Sequence, residues 1–89
     1  MKVKMVFEKL GYRAEVTETM TGNLTGLALI EYAVDQACEN LPEDEEGDPF
    51  LDFWDETGRW FTRAFVPRCD CLKDMLVSAE ITNLEASHE

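Results

Sequence analysis

The sequence predicts an α+β fold of order ββαββα, in which two hairpins form an antiparallel sheet with helices packed on one face. Three observations carry this. Residues 2–8 and 12–17 alternate apolar and polar side chains around a Leu10-Gly11 turn. Leu27 to Asn40 repeats apolar residues at spacings of three and four. Two aromatic and β-branched runs, Phe50–Trp54 and Trp60–Val66, flank Asp55-Glu56-Thr57-Gly58.

In the first strand Val3, Met5 and Phe7 share one face, and Lys2, Lys4, Val6 and Glu8 share the other; a period of two is that of a half-buried strand. Tyr12, Ala14 and Val16 repeat the pattern after a glycine suited to a tight turn. In this hairpin Lys2 and Lys4 are expected opposite Glu15 and Glu18. Met20 to Gly26 has turn and cap chemistry, with Asn23 or Thr25 as the helix N-cap. The helix then shows one stripe, Leu27, Ile30, Val34, Ala37 and Leu41, with Cys38 on its edge. Asn40 and Pro42 end it.

Residues 42–49, PEDEEGDP, form a loop with nothing apolar to bury. The aromatic hairpin that follows places apolar groups on both faces. Either both faces are covered, or one meets a partner. Pro67 ends its second strand. Asp70 is the expected N-cap of a second helix from Cys71 to Asn83, on the stripe Leu72, Met75, Leu76 and Ala79. The rival is a strand from Leu76 to Leu84, because Val77, Ile81 and Thr82 are β-branched. Residues 85–89 are expected to fray.

The 89 residues amount to one domain, 1–89, and so small a core gives marginal stability unless a partner or second copy adds to it. Two Trp and five Phe rule out a disordered acidic tail. The net charge of −11 is unsuited to direct contact with nucleic acid or an anionic membrane, and suits a basic partner. The start lacks the apolar run and cleavage site of a secretion signal, and no stretch reaches the ~20 apolar residues of a membrane span. Three cysteines, an odd number, point to reduced thiols and a cytoplasmic protein.

The acids concentrate between Thr25 and Gly58, which holds eleven of them and no Lys or Arg. Glu31, Asp35 and Glu39 are four apart and so stack along one helix side at a rise of about 6 Å per step. Alternate phosphates of a DNA strand advance about 7 Å. Such a row, continued by Glu43, Asp44, Glu45, Glu46 and Asp48 and then by Asp52, Asp55 and Glu56, offers a phosphate-like pattern to a basic groove. Trp54 and Trp60 are the expected apolar anchors beside it. The ordinary alternative is that these acids are a solvated face.

Other chemistries fit less well. With Gly47 at the sixth position of an EF-hand loop, Pro42 and Phe53 would be its first and twelfth residues, and neither is a ligand. Cys69-Asp70-Cys71 with Cys38 and His88 lacks the paired spacing of a zinc site. The single His, His88, lies next to the last residue, and no nucleophile has a base at a telling spacing. The expected function is therefore non-catalytic and free of metal and cofactor. It is stoichiometric contact with a basic protein, in its most specific form a nucleic-acid mimic that inhibits DNA- or RNA-handling or host-defence machinery. The alternatives are a homodimer closed by the aromatic hairpin, or a weak metal-binding protein.

Overall fold

Strand β1 (Lys2–Lys9) is the centre of the structure because both its edges are used. β2 (Tyr12–Thr19) pairs along one edge from Lys2↔Thr19 to Lys9↔Tyr12, and Met1 and Met20 extend the ladder by exchanging backbone hydrogen bonds of 2.8 and 3.1 Å. The turn between them puts Leu10 at φ 54° and Gly11 at φ 83°, the two positive values that a type I′ turn requires. The computed structural model describes residues 1–82; the expected frayed tail, with His88, lies outside them.

Helix α1 (Gly26–Glu39) follows, with Thr25 at its N-cap position in extended conformation and no side-chain capping bond. Its buried residues are Leu29, Ala33, Val34 and Ala37, so the expected stripe is rotated: Leu27 is exposed, and Ile30 and Leu41 are only partly covered. Ala33 and Ala37 are small, which lets the helix lie close to the sheet. Strands β3 (Phe50–Trp54) and β4 (Phe61–Phe65) form the expected second hairpin.

The last third corrects the expectation. The second helix, α2, is Cys69–Met75; Arg68 rather than the expected Asp70 holds its N-cap position, without a side-chain capping bond, and Asp70 lies in its first turn. From Leu76 to Thr82 the chain is strand β5, paired antiparallel to β1, so the strand alternative holds over Leu76–Thr82, and the rest of its expected span lies outside the described residues. The free edge of β1 outweighs the narrow apolar stripe, and Val77, Ile81 and Thr82 suit the pleated surface. The register slips once, as Val6 faces Ser78 and Phe7 faces Leu76, leaving Val77 as a bulged, exposed residue. The slip lets a helix run into a strand with no loop between.

The sheet order is β4-β3-β2-β1-β5. One face carries Val3, Met5, Phe7, Ala14, Phe53, Ala64 and Val66, and both helices cover it through Leu29, Ala33, Val34, Ala37 and Leu72. The lysine expectation is corrected: Lys2 stands opposite Thr19 and Lys4 opposite Thr17, leaving the lysines only a diagonal ion pair. Lys4 reaches Glu15 at 3.6 Å, but Glu18 faces Val3 and instead accepts a hydrogen bond from Asn40.

The cysteines are also corrected. Cys38 and Cys69 form a disulfide with Cα atoms 5.7 Å apart, joining the last turn of α1 to the first residue of α2. Cys71 alone keeps a free thiol. The odd count hid a pair that only the packing of α1 on α2 brings together, and it removes Cys38 and Cys69 from any zinc set. No helix among the described residues is long and apolar enough to cross a membrane.

Candidate partner-binding surface

The structure divides the predicted acidic stretch between two sides of the molecule. Residues two apart on a helix point about 200° apart. Glu31 stands two positions from Leu29 and Ala33, Asp35 two from Ala33 and Ala37, and Glu39 two from Ala37. With those partners buried, the three acids form a row on the side of α1 turned away from the sheet. Lys73 of α2 approaches Asp35 at 3.5 Å, an exposed pair of small energetic value. Glu31 and Glu39 have no ion-pair partner among the described residues.

The acidic loop is an ordered excursion closed by backbone bonds. Phe50 donates to the Pro42 carbonyl at 3.0 Å, Glu43 and Pro49 bridge, and Asp44 and Asp48 bond at 3.0 Å. The Asp44 carboxylate accepts the N–H groups of Glu46 and Asp48, both at 2.9 Å. Asp44 is thus spent on shaping the loop, while Glu43, Glu45 and Glu46 project from it. Carboxylate oxygens of Asp44, Glu46 and Asp48 come within 4.8 Å of one another, which concentrates negative charge at this end of the sheet.

Beyond the loop, alternation sorts the aromatic hairpin. Leu51, Phe53, Thr62 and Ala64 face the helices. Phe50, Asp52, Trp54, Phe61, Arg63 and Phe65 face the other way, on the uncovered side of the sheet. There Trp54 and Phe61 stack with centroids 5.0 Å apart, and Phe50 meets Phe65 edge-on at 6.5 Å. Trp54 is 42% exposed, and Phe61 and Phe65 are each 52% exposed. The Arg63 guanidinium lies 3.7 Å over the Phe50 ring and grips Asp52 with bonds of 2.8 and 3.1 Å. That grip raises the Arg63 pKa above its ordinary value. Asp52 is therefore neutralised locally.

Asp55 also has a local task. Its carboxylate accepts the Thr57 hydroxyl at 2.7 Å and the backbone N–H groups of Thr57, Arg59 and Trp60. The Thr57 hydroxyl, aided by the backbone donors, lowers its pKa. Glu56 is exposed at the hairpin tip. Trp60 stands one residue before β4 and is 65% exposed. Of the two predicted anchors, Trp54 is thus placed on the uncovered side of the sheet, while Trp60 lies outside the strands and is exposed.

Sequence reasoning saw that the hairpin's apolar groups point both ways and that one face could meet a partner, but did not assign Phe50, Phe61 and Phe65 to the bare face and did not single out Arg63. The signal was present in their shared alternation with Trp54, but the all-aromatic run concealed which face was the core. An open concavity of about 600 Å3 lies where loop and bare face meet, lined by Glu43, Asp44, Glu45, Glu46, Phe50 and Arg63. A second, of about 320 Å3, is lined by Asp44, Glu46, Asp48, Pro49, Phe65 and Pro67. No protein-family model, curated protein or solved structure matches this chain.

Proposed function

We propose that this chain is a non-catalytic binding protein that makes stoichiometric contact with a basic protein surface through the acids of α1 and the 42–49 loop. The observation that supports this is the distribution of charge after folding. Of the eleven acids between Thr25 and Gly58, only Asp35 and Asp52 lie in ion pairs among the described residues. The other nine face no cationic side chain within ion-pair distance among the described residues, although Asp44 and Asp55 accept local hydrogen bonds, and the resulting negative field speeds and orients encounter with a cationic partner. In its most specific form the partner is a protein that handles nucleic acid. The outward row Glu31, Asp35 and Glu39, rising about 6 Å per step, would then occupy its phosphate-binding groove and inhibit it.

The test is affinity capture with the native chain and with Glu31→Lys/Asp35→Lys/Glu39→Lys, at low and moderate salt, followed by titration of the purified captured protein. The expected result is a basic nucleic-acid-binding protein, held less tightly at higher salt and lost in the variant. Equal retention by the variant overturns the reading. A second reading, a homodimer, is favoured by the bare aromatic face; light scattering of the purified chain separates a dimer from a monomer.

The proposed setting is the cytoplasm, where such partners act. The Cys38–Cys69 bond opposes this part, since disulfides are rare in a reducing cytosol. Alkylation of the chain as it leaves the cell decides it: three reactive thiols fit a reducing compartment, and one thiol fits an oxidising one.

A further inference from the structure

We infer that the free edge of β4 is a strand-addition site that takes an extended, lysine- or arginine-bearing segment of the partner, with its cationic end over the 42–49 loop. This rests on the basic-partner reading and adds how the partner is held. The ladder determines which groups are open. Val66 donates to Pro49 and Asp55 donates to Trp60, both at 3.0 Å, so the hydrogen-bonded pairs of the β3–β4 ladder fall on Ala64 and Thr62 by alternation. The N–H and C=O groups of Phe61, Arg63 and Phe65 therefore point away from β3, along the outer edge of the sheet.

The two edges of the sheet differ in their defences. β5 carries the Val77 bulge, which interrupts regular pairing. β4 has no bulge and no proline within it, and its one charge, Arg63, is folded back onto Asp52 and Phe50. Side chains of an added strand on the bare face would lie beside Phe61 and Phe65, which suits apolar groups spaced four apart, with the residue between them beside Arg63.

Charge selects the occupant. Residues 42–66 hold eight acids and two arginines, and both concavities at the Phe65 end are lined by acids. A second copy would bring the same negative patch and a total charge of −11 against its like. Antiparallel pairing of β4 with itself about Arg63 would also set that arginine against its own counterpart. A basic extended segment meets neither penalty, and main-chain bonding to an edge is an established mode of peptide capture.

The experiment is a titration of the isotope-labelled full chain with an eight-residue peptide of alternating valine and lysine, followed by amide NMR. The expected result is that the Phe61, Arg63 and Phe65 amides shift and become protected from exchange. The same peptide N-methylated at alternate residues should bind at least about tenfold more weakly, since the lost bonds amount to about 1.4 kcal/mol or more. Glu45→Lys/Glu46→Lys should weaken binding to a similar degree. Shifts confined to the helix row or to the loop, with the edge amides unmoved, overturn strand addition and leave the acidic-contact reading standing. No shift anywhere at about 1 mM peptide overturns the site. Shifts at Phe61, Arg63 and Phe65 on raising protein concentration without peptide show that the occupant is a second copy, and overturn the proposal.

Discussion

The β2–β1–β5 unit and the β3–β4 hairpin share one sheet but are attached to it differently. β1 is paired along most of its length on both edges, and its inward residues Val3, Met5 and Phe7 are fully buried beneath the helices. The hairpin meets that unit through a single register pair, Arg13↔Trp54. Side chains fasten it instead: Phe53, Ala64 and Val66 enter the common core. The acidic loop and the proposed strand-addition edge lie on the hairpin or just before it, while the row Glu31, Asp35 and Glu39 lies on α1. The contrast teaches that the specifying core and the exposed chemistry are separated along the sheet, so the second can be altered with little cost to the first.

The largest effects should come from emptying the core on each side. Phe7→Ala and Phe53→Ala should each cost about 3–5 kcal/mol, but they should fail differently. Both tryptophans belong to the hairpin, so fluorescence reads that region while circular dichroism reads the whole chain. In Phe53→Ala the fluorescence transition should precede the dichroism transition in urea, with β1 amides still protected from exchange. Coincident transitions in both variants would show that the two regions melt as one.

Next comes the disulfide, which belongs to the helix layer. Cys38→Ala/Cys69→Ala opens a loop of 31 residues and should cost about 2–4 kcal/mol by urea denaturation. The hairpin's local exchange rates should not change. A smaller effect of opposite sign is expected at Leu10, an exposed residue held at φ 54°. Leu10→Asn suits that conformation and should gain about 1 kcal/mol, read as a higher urea midpoint with unchanged slope.

The smallest effect is at the hairpin tip. The Asp55 carboxyl is more acidic in the folded chain than in the unfolded one. Its contribution is therefore present above the ordinary carboxylate pKa of about 4 and fades as the pH falls through the lowered folded value. Asp55→Asn should narrow the stability difference between neutral and acidic solution, measured by urea denaturation from about pH 5 down to pH 2. An unchanged pH profile would remove Asp55 as the organiser of the turn.

Legibility followed the same division. The first hairpin could be read because its alternation is unambiguous and its turn ends in Gly11. The sequence also located α1, but not its rotation: Leu27 and Leu29 are equally apolar, and only the alanines at 33 and 37 mark the side that lies near the sheet. Residues 76–82 were ambiguous because helix and strand preferences there are nearly balanced. The decision came from β1, about 70 residues away, whose open edge no local pattern records. In the candidate surface the charge was plain in the sequence, but its distribution was not. Asp44, Asp52 and Asp55 look like their neighbours in sequence, yet each is engaged within the fold.

The adjacency of β1 and β5 bears on how fast the chain reaches its native state. Phe7 must find Leu76, so the sheet cannot close until nearly the whole described chain has been synthesised. Once Cys38 is joined to Cys69, the effective path between these strands shortens from about 70 to about 40 residues, which lowers the closure entropy by about 0.5 kcal/mol. That is roughly a twofold gain in the rate of the last pairing step, so the oxidised chain spends less time with an open edge exposed to neighbouring chains.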